Sequence, residues 1–289
     1  MASLELNDMF SVKGKIVVIT GGGSGLGKAI AQGFYVNGAK VYISGRRLAS
    51  LERTVTEFQT LGSKTAGQII AVQGDVSTKD RCEAIYKKIA EKEKYIDVLI
   101  NNAGVSRQID YPAWDHNDAD SVEKALWQGV DDEHFTFTNS VNLNAIYFMT
   151  TAFVPLLRHA EDPSVIVVSS LAALANQRAL GSITYGVSKA AGLLRIRVNA
   201  VLPGVFPSEM TTTNNTDDAS AVNEMVRKAA LRSPAGRCGE PAEIAGPCIL
   251  LSSKAGQFIN GGHLVLDGGR LMSGSINDGL RMPEDTYVN

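Results

Sequence analysis

The sequence predicts a doubly wound α/β fold, a single domain built on a mostly parallel sheet with helices on both faces. Three observations predict it. Short β-branched runs alternate with amphipathic helical patterns along most of the 289 residues. The first of these runs passes straight into a glycine-rich turn that opens a helix. A hydrophobic content of 44% in a chain of this length supports one large core.

Composition excludes several classes of function. A net charge of −2 gives no electrostatic footprint for nucleic acid or another polyanion. Cys82, Cys238 and Cys248 are far apart and odd in number, so they form neither a disulfide framework nor a metal-ligand spacing, and a reducing compartment is expected. The stretch Met1–Asp8 lacks a basic region followed by an apolar core, which argues against a signal peptide. No apolar run approaches membrane-spanning length. The expected location is cytoplasmic, with no membrane and no nucleic-acid partner. His116, His134, His159 and His263 have no ligand spacing, read as non-catalytic, and leave no metal site in the reading.

Lys15–Thr20 reads as a buried strand that runs into Gly21-Gly-Gly-Ser-Gly-Leu-Gly27 and a helix over 28–36. Strand, glycine turn and helix together form the unit that holds a dinucleotide pyrophosphate on a helix N-terminus. Gly21 permits the tight turn, Gly25 lets backbone approach phosphate, and Gly27 lets the helix pack on the strand; Gly23, Ser24 and Leu26 complete the contact surface. The next strand, Lys40–Ser44, ends at Gly45-Arg46-Arg47. NAD-selective folds place an acid there for the ribose 2′-hydroxyl. Here Gly45 occupies that position, and the Arg46 guanidinium suits a 2′-phosphate, which favours NADP(H), with NAD(H) as the alternative.

A helix over Leu48–Leu61 leads to a third strand within Gly67–Gly74, closing on Asp75 and Val76, where Asp75 is placed to meet the adenine amine. The helix Thr78–Lys94 ends in Glu91-Lys-Glu-Lys94, expected to be a solvated face. Strand Ile96–Ile100 enters the turn Asn101-Asn102-Ala103-Gly104, at a strand carboxyl end where α/β sheets bind ligands. Val165–Val168 reads as another buried strand, with the Ser170 hydroxyl just past its end, placed to hydrogen-bond a substrate oxygen. Tyr185 and Lys189 are four apart, so on a helix both side chains share one face. An ammonium beside a phenol favours the phenolate and lowers its pKa, which makes Tyr185 a general acid/base.

These motifs, in order, are Thr20-Gly-x-x-x-Gly-x-Gly27, Asp75, Asn101-Asn-Ala-Gly104, Ser170, Tyr185-x-x-x-Lys189, Arg197-Val-Asn-Ala-Val-Leu-Pro-Gly204 and Asp267-Gly-Gly269. In that order the chain resembles the short-chain dehydrogenase/reductase family, over about residues 12–270. The resemblance implies one Rossmann-like domain over 1–289. In it, 12–104 is the dinucleotide-binding half, 135–270 the catalytic half, 207–235 a substrate lid with its polar hinge at Thr211–Thr216, and 273–289 a tail. It implies hydride transfer between a nicotinamide and a small-molecule carbonyl or secondary alcohol. Tyr185 would then be the acid/base, Lys189 would lower its pKa and hold the nicotinamide ribose, and Ser170 would orient the carbonyl. Asn142 would complete the tetrad through a water, with Asn144 its rival in the same stretch. Asn199 and the loop Pro203–Met210, with Pro203, Gly204, Val205 and Ser208, would receive the nicotinamide amide. A helix over Ala242–Ser252 and a strand over Gly262–Asp267 complete the pattern.

Two departures stand out. Val105–Asp132, which contains Trp114, Trp127 and Asp115-His-Asn-Asp-Ala-Asp120, is longer and more polar than the usual connection and is expected to be an elaborated surface loop. More seriously, only residues 190–195 separate Lys189 from Ile196, where family members carry a helix of roughly five turns. A helix over Ser182–Leu194 is about 20 Å long, no more than the strand it must run back along. The expectation is that the strand Arg195–Leu202 is shortened or displaced, or that the sheet breaks after Val168. The family's homodimer or homotetramer, built on this helix and the one before it, is placed in doubt. The alternative to an active enzyme is a catalytically impaired nucleotide-binding or non-functional variant. Replacing Arg46 by Ala is expected to weaken NADPH roughly tenfold or more, the scale of a lost charge-assisted contact, and NADH far less. Fluorescence titration with both nucleotides checks this, and equal losses remove Arg46 from the 2′-phosphate role.

Overall fold

The computed structural model describes residues 4–61, 65–106, 118–173, 197–212 and 222–272. After a short helix, Leu6–Met9 (α1), comes β1, Ile16–Thr20, whose five residues are all β-branched and all buried. Such side chains are stiff at χ1 and suit a strand covered on both faces. Six more strands join it: Lys40–Gly45 (β2), Gln68–Gln73 (β3), Val98–Asn101 (β4), Ser164–Val168 (β5), Arg197–Pro203 (β6) and His263–Leu266 (β7). The order is β3-β2-β1-β4-β5-β6-β7, every pair parallel. The chain winds outward from β1 to β3, then returns to lay β4 on the other side of β1. The loops after β1 and β4 therefore leave the sheet in opposite directions, and a crevice opens between them.

Alternation along the strands fills two cores. Val17 and Ile19 face Gly25–Val36 (α2), Leu48–Thr60 (α3) and Pro241–Ser252 (α9), through Ile30, Phe34, Leu51, Phe58, Ile244 and Leu251. Ile16 and Val18 face Lys79–Ala90 (α4) and Ala145–Leu157 (α7), through Ile85, Ile89, Met149, Phe153 and Leu157. Stacked Tyr35 and Phe58 rings mark the first core, and an edge-on Tyr86–Phe153 pair with centroids 5.5 Å apart marks the second.

Four expectations are corrected. Glu93 is not part of a solvated face: it is buried, ion-paired to Lys40 Nζ at 2.5 Å, and accepts a hydrogen bond from the Tyr42 hydroxyl. The connection Val105–Asp132 is not simply a loop, because Ala119–Gly129 forms a helix (α5) capped by the Asp118 carboxylate on the Asp120 N–H. Residues 107–117 of it, with Trp114, Asp115 and His116, lie outside the described residues.

The third correction concerns Asp132–Leu157, one helical stretch of 26 residues that by length and composition is apolar enough to cross a membrane. It comprises Asp132–Asn139 (α6), a π-helical turn Ser140–Asn144, and α7. Its apolarity has a local cause: Val141, Ala145, Met149, Phe153, Leu156 and Leu157 are buried in the second core.

The fourth concerns the crossover into β6. The sheet is unbroken after Val168, and β6 pairs with β5 in register from Ser164 opposite Arg197 to Val168 opposite Val201. The whole connection is residues 169–196, which exceeds the dozen or so a parallel crossover needs. Measuring the helix alone leaves out the residues before it. The start of β6 is also anchored from outside that connection. Arg197 binds both carboxylate oxygens of Asp162 at 3.1–3.2 Å and donates to the Leu251 and Gly256 carbonyls.

Phe153 is fully buried. Phe153→Ala is expected to lower unfolding free energy by about 3–5 kcal/mol. Urea denaturation checks this, and a loss under about 1 kcal/mol would show that the second core collapses around the gap.

Candidate active site

The segment after β1 is held by the segment after β4. Buried Thr20 accepts from the Asn102 and Ala103 N–H groups at 3.1 and 3.0 Å through its hydroxyl oxygen. Asn102 returns the contact, its Nδ2 donating to the Thr20 carbonyl at 2.9 Å and the Gly21 carbonyl at 3.3 Å. A hydroxyl and an amide thus lock together the two loops that the strand order drives apart. Asn101 ties the same turn to α7 through the Thr150 hydroxyl at 3.1 Å.

The glycines answer to this lock. Gly21 has φ +68°, and a Cβ there would lie 2.9 Å from Asn102 Nδ2. Gly27 was expected to let the helix pack on the strand, but its close neighbour is the turn itself, since an added Cβ would lie 2.3 Å from the Gly21 carbonyl oxygen. Ser24 begins α2 without a side-chain capping bond. Gly23 is held from the other side, its carbonyl accepting from the Ser50 and Thr54 hydroxyls of α3 at 2.9 and 3.1 Å. The turn is therefore fixed at both flanks, with a helix N-terminus at its centre, an arrangement that suits an anionic diphosphate.

Arg46 is exposed past β2, its carbonyl held by Gln73 Nε2 at 3.0 Å. Asp75, past β3, accepts from the Ser77 N–H and hydroxyl and from the Arg81 guanidinium. Partial burial pushes its carboxyl up, but the Ser77 hydrogen bonds and the charges of Arg81 and Arg46 outweigh this and hold it below the ordinary carboxylate value. Val76 is buried behind it.

Asn142 is fully buried in the π-helical turn. Its side chain grips the Val105 backbone at both ends: Oδ1 accepts the Val105 N–H at 2.8 Å and Nδ2 donates to the Val105 carbonyl at 2.8 Å. The residue thereby sets the exit from the Asn102-Ala103-Gly104 turn. Its rival Asn144 is exposed. Ser170 lies past β5, its hydroxyl accepting the Ala172 N–H at 3.1 Å. Gly204 passes close to β7, where an added Cβ would lie 2.7 Å from Asp267 Cα. Ser208 begins a turn whose N–H donates to Thr211 Oγ1 at 2.8 Å.

The described candidates, Gly21 to Gly27, Arg46, Asp75, Val76, Asn102 to Gly104, Asn142, Ser170, Pro203 to Val205 and Ser208, cluster at the carboxyl edge of the sheet. Asn199 does not join them. It is buried further back along β6, where it donates to the Ile259 carbonyl and accepts the Gly262 N–H, both at 3.0 Å, and so holds the turn before β7. Tyr185 and Lys189 lie outside the described residues. Thr20 heads the glycine motif, but its bonds to Asn102 and Ala103 were not expected, and Ser50, Thr54 and the Glu209 carboxylate, which pairs with Arg47, were not singled out from the sequence. Each contact joins residues far apart in the chain, which local pattern does not reveal. Beyond β6, adjoining the candidate site at Val205, lies a cavity of about 290 Å³, lined also by Phe206, Cys238, Asp267 and Arg270 among others.

The sequence pattern of the short chain dehydrogenase family matches residues 15–219. The short-chain dehydrogenase/reductase PhomF of Diaporthe leptostromiformis is 35% identical, with 93% of this chain and 95% of that one covered. Gluconate 5-dehydrogenase of Gluconobacter oxydans is 29% identical, with 92% and 98% covered. Among solved structures, the NADP active-site complex of RhlG from Pseudomonas aeruginosa superposes with a TM-score of 0.72 at 28% identity, covering 91% of this chain and 98% of that one.

Asn142→Ala removes both partners of the Val105 backbone and is expected to cost about 2–4 kcal/mol of stability. Asn142→Asp buries a carboxylate and turns an oxygen against the Val105 carbonyl, and is expected to cost at least as much as Ala. Chemical denaturation of the three proteins checks the order; equal stability of all three would show that the contact carries no weight.

Proposed function

Because the chain belongs to the short chain dehydrogenase family, we propose that it interconverts a carbonyl and a secondary alcohol on a small molecule, with NADP(H) preferred over NAD(H). The observation that carries this reading is the gathering of the glycine turn, the Asn102 turn, Ser170 and the Pro203–Val205 segment at one carboxyl edge, on both sides of the crevice between β1 and β4. The NADP named in the RhlG complex supports the cofactor class. The alternative, an impaired variant, rests on the short helix between Lys189 and Arg195; the in-register pairing of β6 on β5 supports the enzyme reading, because the strand that helix leads into is in place.

In this reading the Gly21–Gly27 turn and the start of α2 bind the diphosphate, and Arg46 holds the 2′-phosphate. Asp75 and Val76 bound the adenine, while Asn102, Ala103 and Gly104 wall the crevice. The nicotinamide, when bound, supplies or accepts a hydride at the carbonyl carbon. Hydride arrival builds negative charge on the substrate oxygen, and the protein must meet that charge with a proton and with preorganised hydrogen bonds. Tyr185 delivers the proton, Lys189 keeps the phenol acidic enough to do so and holds the ribose, and Ser170 orients the oxygen. Asn142 acts first as a positioning residue, through its two bonds to Val105.

Pro203, Gly204, Val205 and Ser208 face the nicotinamide end, and 207–235 covers the substrate. The helix Glu224–Leu231 (α8), capped by Asn223 and buried through Val226, Ala229 and Ala230, gives that cover its hydrophobic attachment. An antiparallel bridge between Thr212 and Val222 closes its base.

Tyr185→Phe keeps the ring and removes the proton. It is expected to lower turnover of any accepted ketone by a factor of about 10²–10⁴ while NADPH binding stays intact. Steady-state rates beside a binding titration check this, and retained turnover would remove Tyr185 from the acid/base role.

A further inference from the structure

Arg47 and Glu209 are 162 residues apart in sequence, yet one Arg47 Nη donates to both carboxylate oxygens of Glu209, at 2.6 and 2.5 Å. Arg47 lies just past the carboxyl end of β2 and is the residue that precedes α3. Glu209 lies past the carboxyl end of β6. In the sheet these strands are separated by β1, β4 and β5. At about 4.8 Å per neighbouring pair, the two strands are roughly 19 Å apart. The ion pair therefore bridges the carboxyl edge above β1 and β4, where the crevice opens.

Both ends of the bridge are built. The Arg47 carbonyl accepts from the Ser50 and Leu51 N–H groups, which fixes it to the first turn of α3. On the other side Phe206 is buried in the first core. Thr211 then folds the segment back: its hydroxyl donates to the Phe206 carbonyl and accepts the Ser208 N–H, both at 2.8 Å. Glu209 is held at the apex of that turn, with its side chain 26% exposed.

We propose that Glu209 and Arg47 form a clasp across the cofactor crevice, and that Glu209 thereby sets the discrimination between NADP(H) and NAD(H). This rests on the nicotinamide-cofactor reading. NAD(H) brings no charge to the end of β2 beyond its diphosphate, so the clasp stays closed over it. The 2′-phosphate of NADP(H) brings up to two negative charges beside Arg46 and Arg47. It competes with Glu209 for the Arg47 guanidinium and repels the carboxylate. The neighbouring Asp75 carboxylate is engaged by Arg81, so Glu209 is the carboxylate that directly occupies an arginine at this corner. Glu209 favours the smaller nucleotide, against the preference that the two arginines create.

The pair is partly exposed, with the Arg47 side chain 62% accessible, so its weight is modest. Glu209→Gln removes the competitor and the clasp together. It is expected to tighten NADPH about two- to fivefold, and to weaken NADH by a similar factor through faster release. The NADPH-to-NADH preference then rises about tenfold. Dissociation constants and stopped-flow release rates for both nucleotides test this in the wild type, Glu209→Gln, Arg47→Gln and the double variant. The result expected is the rise in preference in Glu209→Gln and its disappearance in the Arg47→Gln background, where nothing remains to compete for. Glu209→Asp, which keeps the charge, should stay near wild type. A Glu209→Gln variant that shifts both nucleotides alike, or whose change in preference persists without Arg47, overturns the clasp while the wild type's own binding leaves the cofactor reading standing. Binding of neither nucleotide by the wild type overturns the cofactor reading and the clasp with it.

Discussion

The rest of the site depends on the hydrogen-bonded lock between Thr20 and Asn102. Doubly wound sheets open a crevice where the strand order reverses, because consecutive loops there leave in opposite directions. The same divergence would let the two loops drift. Here one buried hydroxyl accepts two backbone N–H groups, and one amide donates to two carbonyls across the gap. The glycines follow from it. Gly27 has no room for a side chain because the Gly21 carbonyl has been drawn into place, and Gly21 has none because Asn102 faces it.

The lock is flanked by further buried contacts and bounded by an exposed rim. Next to it, Asn142 is fully buried and holds the exit of the β4 turn, from within a π-helical turn of the kind that recurs at functional sites. On the other flank, Ser50 and Thr54 hold the Gly23 carbonyl. At the rim stand Arg46, Arg47, Asp75 and Glu209, more exposed and charged. Low dielectric makes the inner contacts strong and costly to break. Solvent makes the rim contacts weak and exchangeable. The contrast gives a rigid cradle with a more adjustable edge.

Much of this was legible in the sequence, for physical reasons. The β-branched runs placed the strands within two or three residues, because a strand buried on both faces leaves a continuous apolar signature. The glycine turn and Asn101–Gly104 were found because their residue types serve local backbone needs. What was missed involved partners remote in sequence. Glu93 sits in a charged run that looks solvated, yet it is buried against Lys40 and Tyr42. Asn199 lies in a motif of the site but serves the turn before β7. The helix Ala119–Gly129 was hidden by the acidic residues before it, of which Asp118 supplies its cap. The displaced strand expected from the short crossover was not found, because that expectation weighed one helix against the strand and left out the rest of the connection into β6.

The central claim is that this locked crevice is a dinucleotide site on an intact fold. Thermal unfolding of the purified chain, alone and with saturating NADPH or NADH, tests it most directly. A ligand that binds only the native state raises the midpoint, by an amount that grows with its concentration over its dissociation constant. The account predicts one cooperative transition, raised by both nucleotides and raised more by NADPH. A transition that neither nucleotide moves, or no cooperative transition at all, would contradict it.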